Sequence, residues 1–110
     1  MNIVGDVDGK NCLIVDDMVD TAGTLAKVAR ALKDAGASEV LASSSHAVLS
    51  GNAIQKIAES PLSRLIVTDS MPHSEEKRRC EKIVVLSIGE LMGKAIRNIH
   101  EEASVTSLFV

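Results

Sequence analysis

The sequence predicts an α/β domain: a mostly parallel, doubly wound sheet flanked by helices, with an N-terminal hairpin. Three observations carry that reading. Short runs that are apolar at every position, such as Cys12-Leu13-Ile14-Val15, Leu65-Ile66-Val67 and Ile83-Val84-Val85-Leu86, suit strands buried on both faces. Between them lie segments whose apolar residues return with helical period. The 45% hydrophobic share is carried by Val, Ile, Leu and Ala with one aromatic, Phe109, which favours a sheet covered by helices over a sandwich built on aromatic packing.

The elements follow in order. Ile3-Val4, a turn at Asp8-Gly9 and Cys12-Leu13-Ile14-Val15 read as a hairpin whose second arm is the central strand. Leu25, Val28, Ala29 and Leu32 fall on one face of an amphipathic helix that stops at Gly36. A second strand is expected at Val40-Leu41-Ala42-Ser43, then a short helix around Ala53 to Ala58 with Ile54 and Ile57 inward, ended by Ser60-Pro61. Two further strands, at Leu65–Val67 and Ile83–Leu86, enclose a loop and a solvated charge cluster, Glu75-Glu76-Lys77-Arg78-Arg79. Ser87 and Glu90 have capping-box spacing, with Leu86 and Leu91 as the hydrophobic staple. Ile88, Leu91, Met92, Ala95, Ile96 and Ile99 then repeat helically. Residues 1–110 form one domain without internal repeats. Strands alternating with helices imply ligands outside the carboxyl ends of the strands.

Charge and composition narrow the function. A formal net charge of -3 argues against a general nucleic-acid binder, which needs a basic face. No apolar run approaches the roughly 18 residues that span a bilayer, and the start through Asp6 is acidic where a secretory signal is basic, so no membrane is expected and the cytoplasm is the default location. Cys12 and Cys80 lack CxxC spacing and are expected as free thiols.

The informative segment is Val15-Asp16-Asp17-Met18-Val19-Asp20-Thr21-Ala22-Gly23-Thr24, running from the first strand into the first helix. Three acids within five residues repel one another, which suggests a use such as gripping sugar hydroxyls or a Mg²⁺ shell. Thr21, Ala22, Gly23 and Thr24 then place small residues and two hydroxyls at a helix start, where free N–H groups and the dipole favour an anion. No Walker lysine follows the glycine, so the loop suits a monoester phosphate rather than a nucleotide tail, and acids beside it suit ribose 5-phosphate. An Asp-rich turn before a helix-initial threonine is also ordinary capping chemistry.

The same segment resembles the phosphoribosyl pyrophosphate signature of the type I phosphoribosyltransferase fold. Its Asp-Thr-Ala-Gly-Thr spelling is similar to ribose-phosphate pyrophosphokinases rather than salvage transferases, which usually place glycine directly after the threonine. Gly5-Asp6-Val7 with Gly9-Lys10, Ser45 to Gly51, Val67 to Pro72 and Ser104 to Phe109 also resemble that family, in order. The resemblance implies that Asp16 and Asp17 address the ribose hydroxyls or their Mg²⁺, and that Asp20, Thr21, Ala22, Gly23 and Thr24 form the 5-phosphate loop. It implies a regulatory nucleotide site at Ser104, Thr106 and Phe109, although Thr106 stands where the family usually has serine. Ribose 5-phosphate and ATP are the implied substrates, and a homo-oligomer the implied assembly. Only the last third of such enzymes is matched, without the domain that carries most of the ATP site, so this chain is expected to be inactive alone. A phosphoribosyltransferase fragment and a non-catalytic interaction module are the alternatives.

Other polar residues have plainer expectations. His46 is expected as a hydrogen-bonded structural residue, and His73 and His100 as surface residues without metal-ligand spacing. Asp69-Ser70 reads equally as site or loop chemistry, and Ser50-Gly51-Asn52 as the start of the second helix in preference to a ligand contact.

Overall fold

The computed structural model describes residues 2–109; Met1 and Val110, the ends of the single-domain span, lie outside the described residues. The elements are β1 (Asn11–Val19), α1 (Gly23–Asp34), β2 (Glu39–Ala47), α2 (Ala53–Glu59), β3 (Arg64–Thr68), α3 (Glu75–Arg79), β4 (Ile83–Leu86), α4 (Gly89–His100) and a closing 3-10 turn (Thr106–Phe109). Every apolar run from Cys12 onward and every helical period of the sequence is recovered as an element, whereas Ile3-Val4 forms no strand. All pairings are parallel, in the order β1-β2-β3-β4.

Sequential order with right-handed crossovers carries every connecting helix to the same face of the sheet. Burial follows that geometry. Val40, Ala42, Ser44, Leu65 and Val67 point into the core with Leu25, Ala29, Ala53 and Ile57 of the covering helices. Leu13, Val15 and Leu86 alternate to the other face, where they are 59%, 75% and 57% exposed, so the described residues supply one helical layer and not the second that a doubly wound sheet has. α4 buries no residue, and the radius of gyration of 16.5 Å exceeds the ~13 Å of a compact chain of this length because that helix stands away from the sheet.

Several local expectations are corrected. The N-terminal hairpin does not form: the turn at Asp8-Gly9 is present, but its backbone is taken by the α1–β2 turn. Gly9 N–H donates to Gly36 O (2.9 Å) and Ser38 N–H to Lys10 O (2.8 Å), while Val4 is exposed. Two apolar residues are too few to make a competing strand. β1 is consequently an edge strand rather than the central one, and it extends through Asp16 and Asp17, pairing Asp16 with Ser44 and Met18 with His46.

The charge cluster is a one-turn helix in which Lys77 is buried, its Nζ donating to Ala47 O (2.9 Å) and Pro72 O (3.0 Å). The capping box at α4 is absent. Ser87 Oγ accepts from Gly89 N–H (3.1 Å), Asp69 accepts from Ile88 N–H (2.9 Å), and Glu90 pairs instead with Lys94 at 3.0 Å. Two donors, the Ile88 amide first and the Ser87 hydroxyl next, hold the Asp69 carboxyl below its usual range. Cys12 and Cys80 are free.

Candidate functional site

The β1–α1 connection leaves backbone donors unpaired beside acidic side chains. Ala22, the residue before α1, has φ 65° and ψ 4°, a left-handed conformation that is uncommon for a residue with a Cβ. Followed by helical Gly23, it forms the left-then-right-handed backbone concavity that gathers successive N–H groups toward an anion. No side chain caps α1, and its first turn holds no acid. Among the described residues, the amides of Thr21 through Leu25 have no protein acceptor.

A cavity of about 310 Å³ opens at this point, lined by Asp16, Met18, Val19, Asp20, Thr21, Ala22, Thr24, Leu25 and Val28. Five of the seven expected ligand-loop residues therefore meet there: Asp16, Asp20, Thr21, Ala22 and Thr24. Gly23 does not itself line the cavity; a Cβ added there would sit 3.7 Å from Lys56 Nζ. Asp17 does not line the cavity, because consecutive strand residues face opposite sides of the sheet. Asp16 itself accepts the Asp17 N–H at 2.8 Å through one carboxylate oxygen.

The neighbouring β2–α2 connection braces this loop. The Val48 and Leu49 amides both donate to Val19 O (3.1 Å each), and the Ser50 amide donates to Asp20 O (3.0 Å). The Ser50 hydroxyl donates to the Asp20 carboxylate in a short contact, so Asp20 is held by the protein as well as facing the cavity. Ser50-Gly51-Asn52 does lead into α2, with Asn52 as its N-cap and the Ala53 amide donating to Ser50 O (3.2 Å), and Ser50 in addition secures the candidate loop through its side chain. Leu49, buried at φ 50°, is a second left-handed residue bearing a side chain, held there by the hydrogen bond from its amide to Val19 O.

The remaining expected residues lie elsewhere. His46 is hydrogen-bonded to Ser70 Oγ (2.8 Å), which in turn reaches Ser45 O (3.1 Å). His73 is half-buried rather than a plain surface residue, and both its ring nitrogens are buried without a partner. Ser104, Thr106 and Phe109 are exposed at the far end of α4. There Ser104 O accepts from Asn98 Nδ2 and Ser107 Oγ (2.9 Å each), and none of the three lines the cavity at β1–α1.

For Mg²⁺, the described residues hold no group of three or more His, Cys, Asp or Glu side chains that could form a protein cage. Two carboxylates, Asp16 and Asp20, line the cavity beside the helix start and Asp20 is already engaged by Ser50, which fits an ion held by Asp16 and otherwise by water and substrate oxygens. An Asp16–Asp17 pair on one ion does not fit the strand geometry.

Fold and site together define a class: a parallel α/β domain whose candidate ligand cavity sits at the carboxyl end of β1. The family follows from comparison. Residues 1–110 match the model of the phosphoribosyl synthetase-associated domain. The ribose-phosphate pyrophosphokinase of Bordetella pertussis is 55% identical over 109 residues, which cover 99% of this chain and 35% of the relative. That of Nitrosomonas europaea is 49% identical over 110 residues, covering 100% and 35%. The crystal structure of phosphoribosylpyrophosphate synthetase from Mycobacterium smegmatis superposes with a TM-score of 0.87 at 41% identity, over 91% of this chain and 33% of that one. The chain belongs to the ribose-phosphate pyrophosphokinase family and spans about a third of the length of these relatives.

Proposed function

We propose that this chain is the ribose 5-phosphate-binding part of a ribose-phosphate pyrophosphokinase, which transfers the β,γ-diphosphoryl group of ATP to the 1-hydroxyl of ribose 5-phosphate and releases AMP. The observation that carries the reading is the run of unpaired amides from Thr21 to Leu25, a stretch whose Thr21, Ala22, Thr24 and Leu25 line the same cavity as Asp16. The amides receive the 5-phosphate, Thr21 and Thr24 supply hydroxyls, and Asp16 accepts hydrogen bonds from the ribose diol. Asp20, fixed by Ser50, holds the loop in shape.

Mg²⁺ would be held by Asp16 together with substrate and water, and would neutralise charge on the transferred group. In this reading the chain orients the acceptor, most of the ATP site comes from the part of the family's longer chains that it does not match, and these 110 residues do not catalyse alone. Ser104, Thr106 and Phe109 remain a candidate nucleotide-responsive segment. The working location is the cytoplasm, with no nucleic-acid or membrane partner. The test is calorimetric titration of the 110-residue protein with ribose 5-phosphate, with and without Mg²⁺. Saturable binding that unphosphorylated ribose does not reproduce supports the reading, and absence of binding in both conditions overturns it.

A second role has its own observation. The uncovered sheet face with Leu13, Val15 and Leu86 is an apolar surface of the kind that pairs with another protein, so self-association or docking onto complete subunits accompanies ligand binding.

A further inference from the structure

The fold sets one cation against the helix start that the phosphate reading did not require. Lys56, on α2, carries its Nζ to 3.7 Å from where a Cβ on Gly23 would lie. Since a Cβ is about 2.5 Å from its own amide nitrogen, the ammonium is within about 6 Å of the Gly23 N–H, and an oxygen accepting that N–H would lie about 2.9 Å from the nitrogen. The four-carbon stem of a half-buried lysine closes the remaining gap by rotation.

Among the described residues Lys56 takes part in no ion pair; the pairs formed are Arg79–Glu75 and Lys94–Glu90. It shares a groove of about 260 Å³ between α1 and α2 with Lys27, Arg30 and Glu59, and Glu59 is engaged by the Gln55 amide at 3.0 Å. Lys27 and Arg30 repel it, and so does the positive end of α1, whose first turn carries no acid. An anion on the free amides of that helix start relieves both repulsions together.

We infer that Lys56 is a phosphate-binding residue of this site, reaching across from α2 to the 5-phosphate held at the start of α1. The inference rests on the ribose 5-phosphate reading above and adds a residue 33 positions beyond Gly23 in the sequence. It also gives the site a preference for the phosphate dianion that neutral amides alone supply more weakly.

The test is calorimetry of the 110-residue protein as Lys56→Gln, Lys56→Met and Lys56→Arg, titrated with ribose 5-phosphate at two salt concentrations, with thermal melts as a folding control. Loss of one charge-assisted hydrogen bond predicts about tenfold weaker binding in Lys56→Gln and Lys56→Met. Their salt dependence should be shallower, Lys56→Arg should recover most of the affinity, and the melting temperature should not change. Unchanged affinity and salt slope in both neutral variants, beside a wild type that binds, would remove Lys56 and leave the site reading intact. A wild type that binds no ribose 5-phosphate would remove both.

Discussion

Thr24→Asp should make the protein more stable and its ligand site worse. Thr24 is the second residue of α1, exposed, and part of the cavity wall. A carboxylate there meets an uncapped helix start whose amides have no protein acceptor, which stabilises the fold by about 0.3–1 kcal/mol. In a chain of this size that raises the melting temperature by about 2–5 °C. The same carboxylate stands beside the seat of the phosphate. Two unit charges about 5 Å apart repel by about 3 kcal/mol at an effective dielectric near 20. Solvent exposure and salt reduce this by about half, so ribose 5-phosphate affinity falls at least about tenfold. Differential scanning calorimetry and isothermal titration of the same preparation read the two effects. A variant that melts higher and still binds as the wild type does would refute the assignment of phosphate to these amides. One that melts lower would show that the helix start is not short of an anion.

Three further outcomes are expected. Gly36 has φ +100°, and a Cβ there would strike the Asp8 carboxylate with the Asp8 Cα at 3.3 Å, so Gly36→Ala should lose about 1–3 kcal/mol in urea unfolding. Asp69, held below its usual range first by the Ile88 amide and then by the Ser87 hydroxyl, contributes stability that is present above pH 3.8 and is lost as pH falls below it. Asp69→Asn should therefore flatten the acid limb of a stability-against-pH curve, and an unaltered limb would contradict the contact. Val15, 75% exposed on the open sheet face, should tolerate Val15→Lys without loss of melting temperature, while any concentration-dependent association seen by analytical ultracentrifugation weakens; association that persists unchanged would place the contact elsewhere.

How far the sequence led depends on the range of the interaction concerned. Helical period and apolar runs are local, so α1, α2 and α4 and all four strands were legible from Leu25, Ile57, Ile66 and Val84 and their neighbours. Strand order is not local. Cys12-Leu13-Ile14-Val15 reads as a strand buried on both faces, and nothing in it tells that β1 has one neighbour and an open face. The hairpin failed for the same reason, because the backbone of Gly9 and Lys10 finds partners at Gly36 and Ser38, beyond α1.

The candidate loop was legible because three acids, small residues and a helix start are contiguous from Asp16 to Thr24. Its division of labour was not. Strand alternation separates Asp17 from Asp16, the left-handed residue is Ala22 rather than Gly23, and the groups from outside the loop come from the next β–α unit, Ser50 from its connection and Lys56 from α2. The one sequence signal for them was a serine and a lysine flanking the start of α2, which by itself reads as ordinary helix chemistry. Lys77 carried no signal at all inside a run of charges.

The most direct measurement is a titration of the ¹⁵N-labelled 110-residue protein with ribose 5-phosphate, following backbone amide resonances, with ribose as the control ligand. The account predicts that the amides of Thr21, Ala22, Gly23 and Thr24 move most and saturate together, and that ribose leaves them in place. Saturable shifts centred on another part of the chain, with these four unmoved, would contradict it.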